Sequence, residues 1–140
     1  MTFLDSSLLV RRYAGRRGAP AAATRDLLQD FAVSDIARVE VPSALQRRVR
    51  EGQLDPRGAK AALDAFARDL RSLTRVGVDD RVLDGSAALL KRHPLRSLDA
   101  IQLASALRLA HGAPGPVTFG SADARLNAAA RAEGLELLLP

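Results

Sequence analysis

Short apolar segments alternate with longer helix-patterned ones along the whole chain, and that alternation restricts the fold more than any other feature. The strand-like pieces are "TFL" (2–4), "FAV" (31–33), "LTRVGV" (73–78), "VTF" (117–119) and "LELLL" (135–139). Between them, apolar residues recur at helical spacing. Leu8, Leu9 and Tyr13 mark a helix that Gly15 ends, and a second helix is predicted from Pro20 to Gln29, after the basic loop "GRRGAP". Ser34 is placed to cap a long helix, "DIARVEVPSALQRRVREG", which stops at Gly52 and carries Pro42 in its interior, where a bend is expected. Asp55 followed by Pro56 starts another, through Leu70. Further helices are predicted over Asp80–Arg92, from Ser97 onward, and over Ala122–Glu133, closed by Gly134. Strands this short, separated by helices this long, pair in parallel with helices on both faces of the sheet. The predicted fold is three-layered α/β with a short parallel central sheet. At 140 residues, with no internal repeat, low-complexity tract or linker, the chain reads as one domain.

In such sheets ligands collect beyond the carboxyl ends of the strands, so acids placed there are candidates for function. Asp5 directly follows "TFL", and Asp123 follows "VTFGSA". Asp99 and Asp123 share a local pattern, Ser97-Leu98-Asp99 and Ser121-Ala122-Asp123, in which a serine cap puts the acid at the second helical position. Glu40 stands mid-helix between Val39 and Val41. Each acid also has an ordinary account. A first-turn Asp gains ~0.3–1 kcal/mol from the helix dipole, Asp5 can serve as an N-cap, and the helix can turn Glu40 to solvent.

The helix after Asp99 sharpens the functional case. Its polar members through Leu109 are Gln102, Ser105 and Arg108, on one narrow stripe, while Leu98, Ile101, Leu103, Leu107 and Leu109 face elsewhere. Such a helix belongs in the centre of the molecule, with Asp99 at the top of its stripe. If the four acids converge, two ionised carboxylates about 5 Å apart repel by roughly 3 kcal/mol at an effective dielectric of about 20. Several such pairs rival the whole stability of a domain, about 5–15 kcal/mol. Converging acids must therefore hold a cation, share protons or stay apart.

The chain has no cysteine and only two histidines, His93 and His111, so a metal site is built from oxygen, which suits Mg²⁺ or Mn²⁺. The net charge of +5 invites a polyanion such as nucleic acid, although an arginine- and alanine-rich coding bias accounts for it equally well. Phe3, Phe31 and Phe119 fall in predicted strands, which leaves Tyr13 and Phe66 as candidate stacking platforms for bases. Arg11, Arg12, Arg16 and Arg17 follow the first strand and are candidates to hold phosphates, or else form a solvated loop. No apolar run approaches the roughly 18 residues needed to cross a bilayer, and "MTFLDSSLLV" lacks the basic start of a secretory signal, so a cytoplasmic location is expected.

The stretches "FLDSSLLV", "ARVEVPSAL", "LRSLDAIQLASAL" and "VTFGSADARLNAAARAEGLELL", in this order and spacing, resemble PIN-domain ribonucleases of the VapC type, the toxin half of bacterial toxin–antitoxin pairs. The resemblance spans essentially the whole chain. It implies a PIN-like domain that hydrolyses RNA phosphodiester bonds with Mg²⁺ or Mn²⁺, with Asp5, Glu40, Asp99 and Asp123 as catalytic residues and metal ligands. It also implies supporting hydrogen bonds from Ser6 and Ser121, and an RNA-contacting role for Arg96. An antitoxin partner is expected in a groove on the helical hairpin 35–51 and 56–70, whose faces mix Leu45, Val49, Leu63 and Phe66 with arginines, and a homodimer is expected too. Two other readings stand beside it: a nuclease for structured DNA or RNA maturation using the same quartet, and a catalytically silent binding module. Four acids count against the last, since binding an anion does not call for them.

Overall fold

The computed structural model describes residues 1–15 and 29–138, and its elements follow the predicted alternation. They are β1 (Thr2–Leu4), α1 (Ser6–Tyr13), β2 (Phe31–Ser34), α2 (Ala37–Arg50), α3 (Pro56–Asp69), β3 (Thr74–Val76), α4 (Asp80–Arg92), α5 (Ser97–Gly112), β4 (Thr118–Gly120), α6 (Ala124–Ala132) and β5 (Glu136–Leu137). The predicted helix Pro20–Gln29, except its last residue, the loop carrying Arg16 and Arg17, and residue 139 lie outside the described residues. The strands form one five-stranded sheet in the order β3-β2-β1-β4-β5, parallel at every pairing.

Local chemistry sets the element ends. Asp55 accepts from the Gly58 amide at 2.7 Å and Asp79 from the Val82 amide at 3.0 Å, starting α3 and α4. Gly52 (φ 72°) and Gly134 (φ 90°) end α2 and α6 in the left-handed conformation. At each, the next residue's N–H reaches back into the last turn, Gln53 to the Arg48 carbonyl and Leu135 to the Ala130 carbonyl. Pro42 sits in the sixth position of α2, where the helix continues on both sides and forfeits a single amide donor.

The three predicted serine caps are corrected by the structure. Ser34 is the last residue of β2, and α2 begins at Ala37 without a side-chain cap. Ser97 is the first residue of α5, whose Asp99 accepts from the Arg96 amide at 3.3 Å. Asp123, not Ser121, caps α6, accepting from the amides of Arg125 (2.8 Å) and Leu126 (3.4 Å). A charged carboxylate outcompetes a hydroxyl for the open amides of a helix start.

The sheet's two faces bury two cores. Phe3 and Phe119, stacked at 5.9 Å, lie with Ala32 under α4, α5 and α6. Leu4 and Val33 lie under α1, α2 and α3. The helices described between β1 and β3 therefore lie over one face, and those between β3 and β5 over the other, as right-handed crossovers require when strand order reverses. The reversal falls between β1 and β4, which opens a crevice at their carboxyl ends.

Tyr13 and Phe66 are not base-stacking platforms. Each is 4% exposed, and their rings meet edge to face at 5.5 Å inside the second core. The Tyr13 hydroxyl donates to Asp69 Oδ2 at 2.9 Å, tying α1 to α3. Burial first, then the Asp69 hydrogen bond and charge, push the phenol up from 10.0 to about 12. The neutral phenol is the form favoured by folding, so its contribution is complete below pH 10 and is lost as pH rises towards 12. Tyr13 is the single tyrosine of a chain without tryptophan, so the phenolate absorbance isolates it. Its appearance is expected well above pH 10, together with alkaline unfolding. Tyr13→Phe is expected to lower stability by about 1–3 kcal/mol in urea unfolding, because buried Asp69 loses its donor. An ordinary phenol titration in the folded protein excludes this account.

Candidate functional site

At the crevice between β1 and β4 lies a cleft of about 470 Å³ lined by all four predicted acids, Asp5, Glu40, Asp99 and Asp123. Asp5 follows β1, Glu40 lies in the first turn of α2, Asp99 in the first turn of α5, and Asp123 follows β4 at the start of α6. The reversal of strand order sets Asp5 beside Asp123, and the packing of α5 and α2 on opposite faces adds the other two. The central placement predicted for α5 holds, since it packs on β2, β3, α4 and α6.

Each carboxylate is held by one oxygen. Asp5 Oδ2 accepts from the hydroxyls of Ser7 (2.5 Å) and Ser121 (2.9 Å). Glu40 Oε1 accepts from Ser6 Oγ (3.0 Å) and Gln102 Nε2 (2.7 Å). Asp99 Oδ2 takes the Arg96 amide, and Asp123 Oδ1 takes the first amides of α6. Among the described residues, no protein donor reaches the other oxygen of any of the four. Ser121 joins two acids directly, donating to Asp5 while accepting from the Asp123 amide at 3.0 Å. Asn127 steadies that serine by donating to its carbonyl at 3.0 Å.

The acids act on one another. Burial raises the Glu40 carboxyl above its ordinary 4.5; the Gln102 and Ser6 hydrogen bonds oppose this, and the charges of Asp5 and Asp99 add to it. Burial likewise raises Asp99 above 3.8, against the Arg96 amide and with the charges of Asp123 and Asp5. The donors are all hard oxygens, as Mg²⁺ or Mn²⁺ prefers. Among the described residues, no three acidic or imidazole side chains stand close enough together to grip one ion. The set fits an ion held by one or two carboxylates, with its remaining positions left to water and substrate oxygens, which is the usual Mg²⁺ arrangement.

Basic residues share this cleft, but only in part those expected. Arg11 lines it. Arg12 lies over the Tyr13 ring at 5.8 Å, and neither it nor Arg96 lines the cleft. Arg47, Arg48 and Gln53 do line it and were missed by sequence reasoning. The signal was present: Glu40, Ala44, Arg47 and Arg48 fall at helical spacing on one face of α2, Glu51 follows its last residue, and all line the cleft. Ser7 and Gln102 were also missed as supports. Ser6 does bond an acid, but the acid is Glu40.

A family model described as PIN domain matches residues 2–138. No curated protein matches the chain. Among solved structures, the fold is similar to PAE2754 from Pyrobaculum aerophilum, with TM-score 0.67 and 19% identity over 98% of this chain and 83% of that one. It is similar to FitAcB from Neisseria gonorrhoeae, with TM-score 0.65 and 14% identity over 98% and 96%. A toxin-antitoxin complex from Klebsiella pneumoniae gives TM-score 0.56 and 18% identity over 88% and 87%.

The gathered charge has a cost that can be measured. Because Glu40 is raised above 4.5, folding favours its neutral form; that contribution is complete below 4.5 and is lost as pH climbs through the folded-state value. Glu40→Gln keeps the acceptor for Ser6 and Gln102 but removes the charge. In metal-free buffer at pH 7 the variant is expected to melt roughly 2–5 °C above the parent, with the gap closing as pH falls below 4.5. A variant that melts lower at pH 7 contradicts the repulsion.

Proposed function

The chain belongs to the PIN domain family, and on that premise we propose that it is a metal-dependent endoribonuclease, the toxin of a toxin–antitoxin pair. PIN domains are generally nucleases. The observation that carries the reading is the convergence of Asp5, Glu40, Asp99 and Asp123 on one cleft that Arg11, Arg47 and Arg48 also line. Acids alone repel a phosphodiester and arginines alone only bind one; together they suit phosphate cleavage.

Asp5 and Asp99 are the principal metal-holding residues in this reading, with Glu40 and Asp123 completing the site through water. A bound Mg²⁺ or Mn²⁺ lowers the pKa of water to supply a nucleophile and offsets charge developing on the phosphate. The protein's own part is positional. Ser7, Ser121, Ser6 and Gln102 fix the carboxylates, and the arginines hold the backbone beside them. No aromatic side chain lines the cleft among the described residues, so the strand is held by its phosphates rather than read by base stacking.

RNA as substrate, and an antitoxin as partner, rest on the resemblance to VapC-type toxins, and the similar Klebsiella pneumoniae structure is titled a toxin-antitoxin complex. Leu45 and Phe66 are buried in the core. The groove left on the hairpin is lined by Arg38, Pro42, Leu63 and Leu70 together with Asp64, Phe66 and Ala67, and it is the proposed seat of an antitoxin segment. Among the described residues, no helix is long and apolar enough to cross a membrane.

Cleavage of single-stranded RNA, tRNA and flap DNA, each with and without Mn²⁺, tests the reading. RNA cleavage that chelation abolishes and that Asp99→Asn lowers at least about 100-fold is expected. In the Asp99→Asn background, Arg47→Ala and Arg48→Ala are each expected to weaken RNA binding and to reduce the salt slope by about 0.7 for each phosphate that is no longer neutralised. Undiminished cleavage by Asp99→Asn overturns the assignment, and preference for flap DNA transfers it to structured DNA.

A further inference from the structure

Helix α5 turns Gln102 and Ser105 inward, leaving them 1% and 0% exposed. An apolar residue fills such a position at lower cost. Gln102 Oε1 is buried with no partner among the described residues, a defect that stability alone does not favour. What keeps the amide there is visible at its other end. Gln102 Nε2 donates to Ser6 Oγ at 2.7 Å and to Glu40 Oε1 at 2.7 Å, and Ser6 Oγ donates to the same Glu40 oxygen at 3.0 Å.

Chemistry fixes the direction of every bond in this triangle. An amide nitrogen only donates, so Ser6 accepts from it and passes its own hydrogen to the carboxylate. The reversed amide sets Oε1 against Glu40 Oε1, two acceptors in contact. Both Gln102 hydrogens are therefore committed to the glutamate and to the serine that serves it. Two of the three bonds end on an acid that already faces the charges of Asp5 and Asp99, and the third holds the serine that serves it. A residue selected for stability alone gains nothing by holding a charge in that company.

We infer that Gln102 is a positioning residue for the cation site: it locks Glu40 by Oε1 and leaves Oε2 for the water shell of a divalent ion. The inference rests on the nuclease reading above and adds a residue to it. Gln102 touches neither substrate nor ion and acts through Glu40, as a partner hydrogen-bonded to a ligating carboxylate does.

The test is Mn²⁺ binding by calorimetry on the full chain, with Gln102→Met, which keeps the length and removes both donors. A Kd for Mn²⁺ about 10-fold weaker is expected, with RNA binding in chelator unchanged. In the Glu40→Gln background, Gln102→Met is expected to add nothing, because both changes remove one element. If Gln102→Met fails to fold, Gln102→Asn, one methylene short of Glu40, is expected to show the same loss. Wild-type affinity in either folded variant overturns the inference, as does a loss that adds to that of Glu40→Gln. A parent protein that cleaves and binds Mn²⁺ beside an unaffected variant leaves the nuclease reading standing without this residue. A parent that neither cleaves nor binds removes both.

Discussion

The site depends on β1 lying beside β4. The two strands are far apart in sequence, and their onward connections leave over opposite faces of the sheet. No helix can cover the crevice where the two directions diverge, so the sheet is open there at its carboxyl edge. The register sets Leu4 against Gly120, and the Asp5 amide continues the ladder to the Gly120 carbonyl at 2.9 Å. Gly120 leaves room at that point, since a Cβ there meets Leu8 Cδ1 at 2.9 Å and Leu138 Cδ2 at 3.0 Å and both leucines have to shift. The residues just beyond the ladder, Asp5 on one strand and Ser121 to Asp123 on the other, are thereby delivered to the same place.

Delivering acids to one place opposes folding, and the polar interior shows how the opposition is contained. Of the buried polar side chains, Asp5, Ser6, Gln102 and Ser121 line the cleft or hydrogen-bond its acids, and Ser34 and Ser105 bond each other. Each carboxylate is held by neutral donors, and none is neutralised by a salt bridge among the described residues. Arginines share the cleft without pairing to the quartet. A salt bridge fixes a carboxylate and also consumes its charge, which leaves little for a cation. Hydroxyl, amide and backbone donors fix it while leaving the charge in place.

The parts of this arrangement that follow from local pattern were legible in the sequence. Alternating periods gave the α/β class and the parallel sheet, and α4 spans the predicted Asp80–Arg92. The four acids stood out because each follows a strand, opens a helix or sits where an acid has no local use. What was not legible depends on which face of an element is covered. Tyr13 and Phe66 read as spare aromatics because nothing in α1 or α3 alone says that the two helices meet. The arginines of α2 were read only as part of a mixed hairpin face, although their period runs directly from Glu40. The cap assignments failed for a different reason. Where Ser and Asp stand two residues apart, both patterns offer a cap, and the charged group takes the amides while the serine is freed to bond elsewhere.

That freed serine illustrates how the fold and the site share the same residues. Ser121 gives its hydrogen to Asp5 and accepts the Asp123 amide, so the turn that starts α6 is also the brace between two acids. Ser7 plays the matching part from α1, donating to Asp5 while taking the Ala122 amide at 2.9 Å. The two serines approach at 3.4 Å, closing a ring across the seam between β1 and β4. Without a cation, the repulsion among the carboxylates works against this seam; with one, the same charges draw its two sides together. If a cation binds as proposed, its binding and the tightness of the β1–β4 seam are one equilibrium, in which whatever binds the carboxylates also stabilises the pairing that positions them.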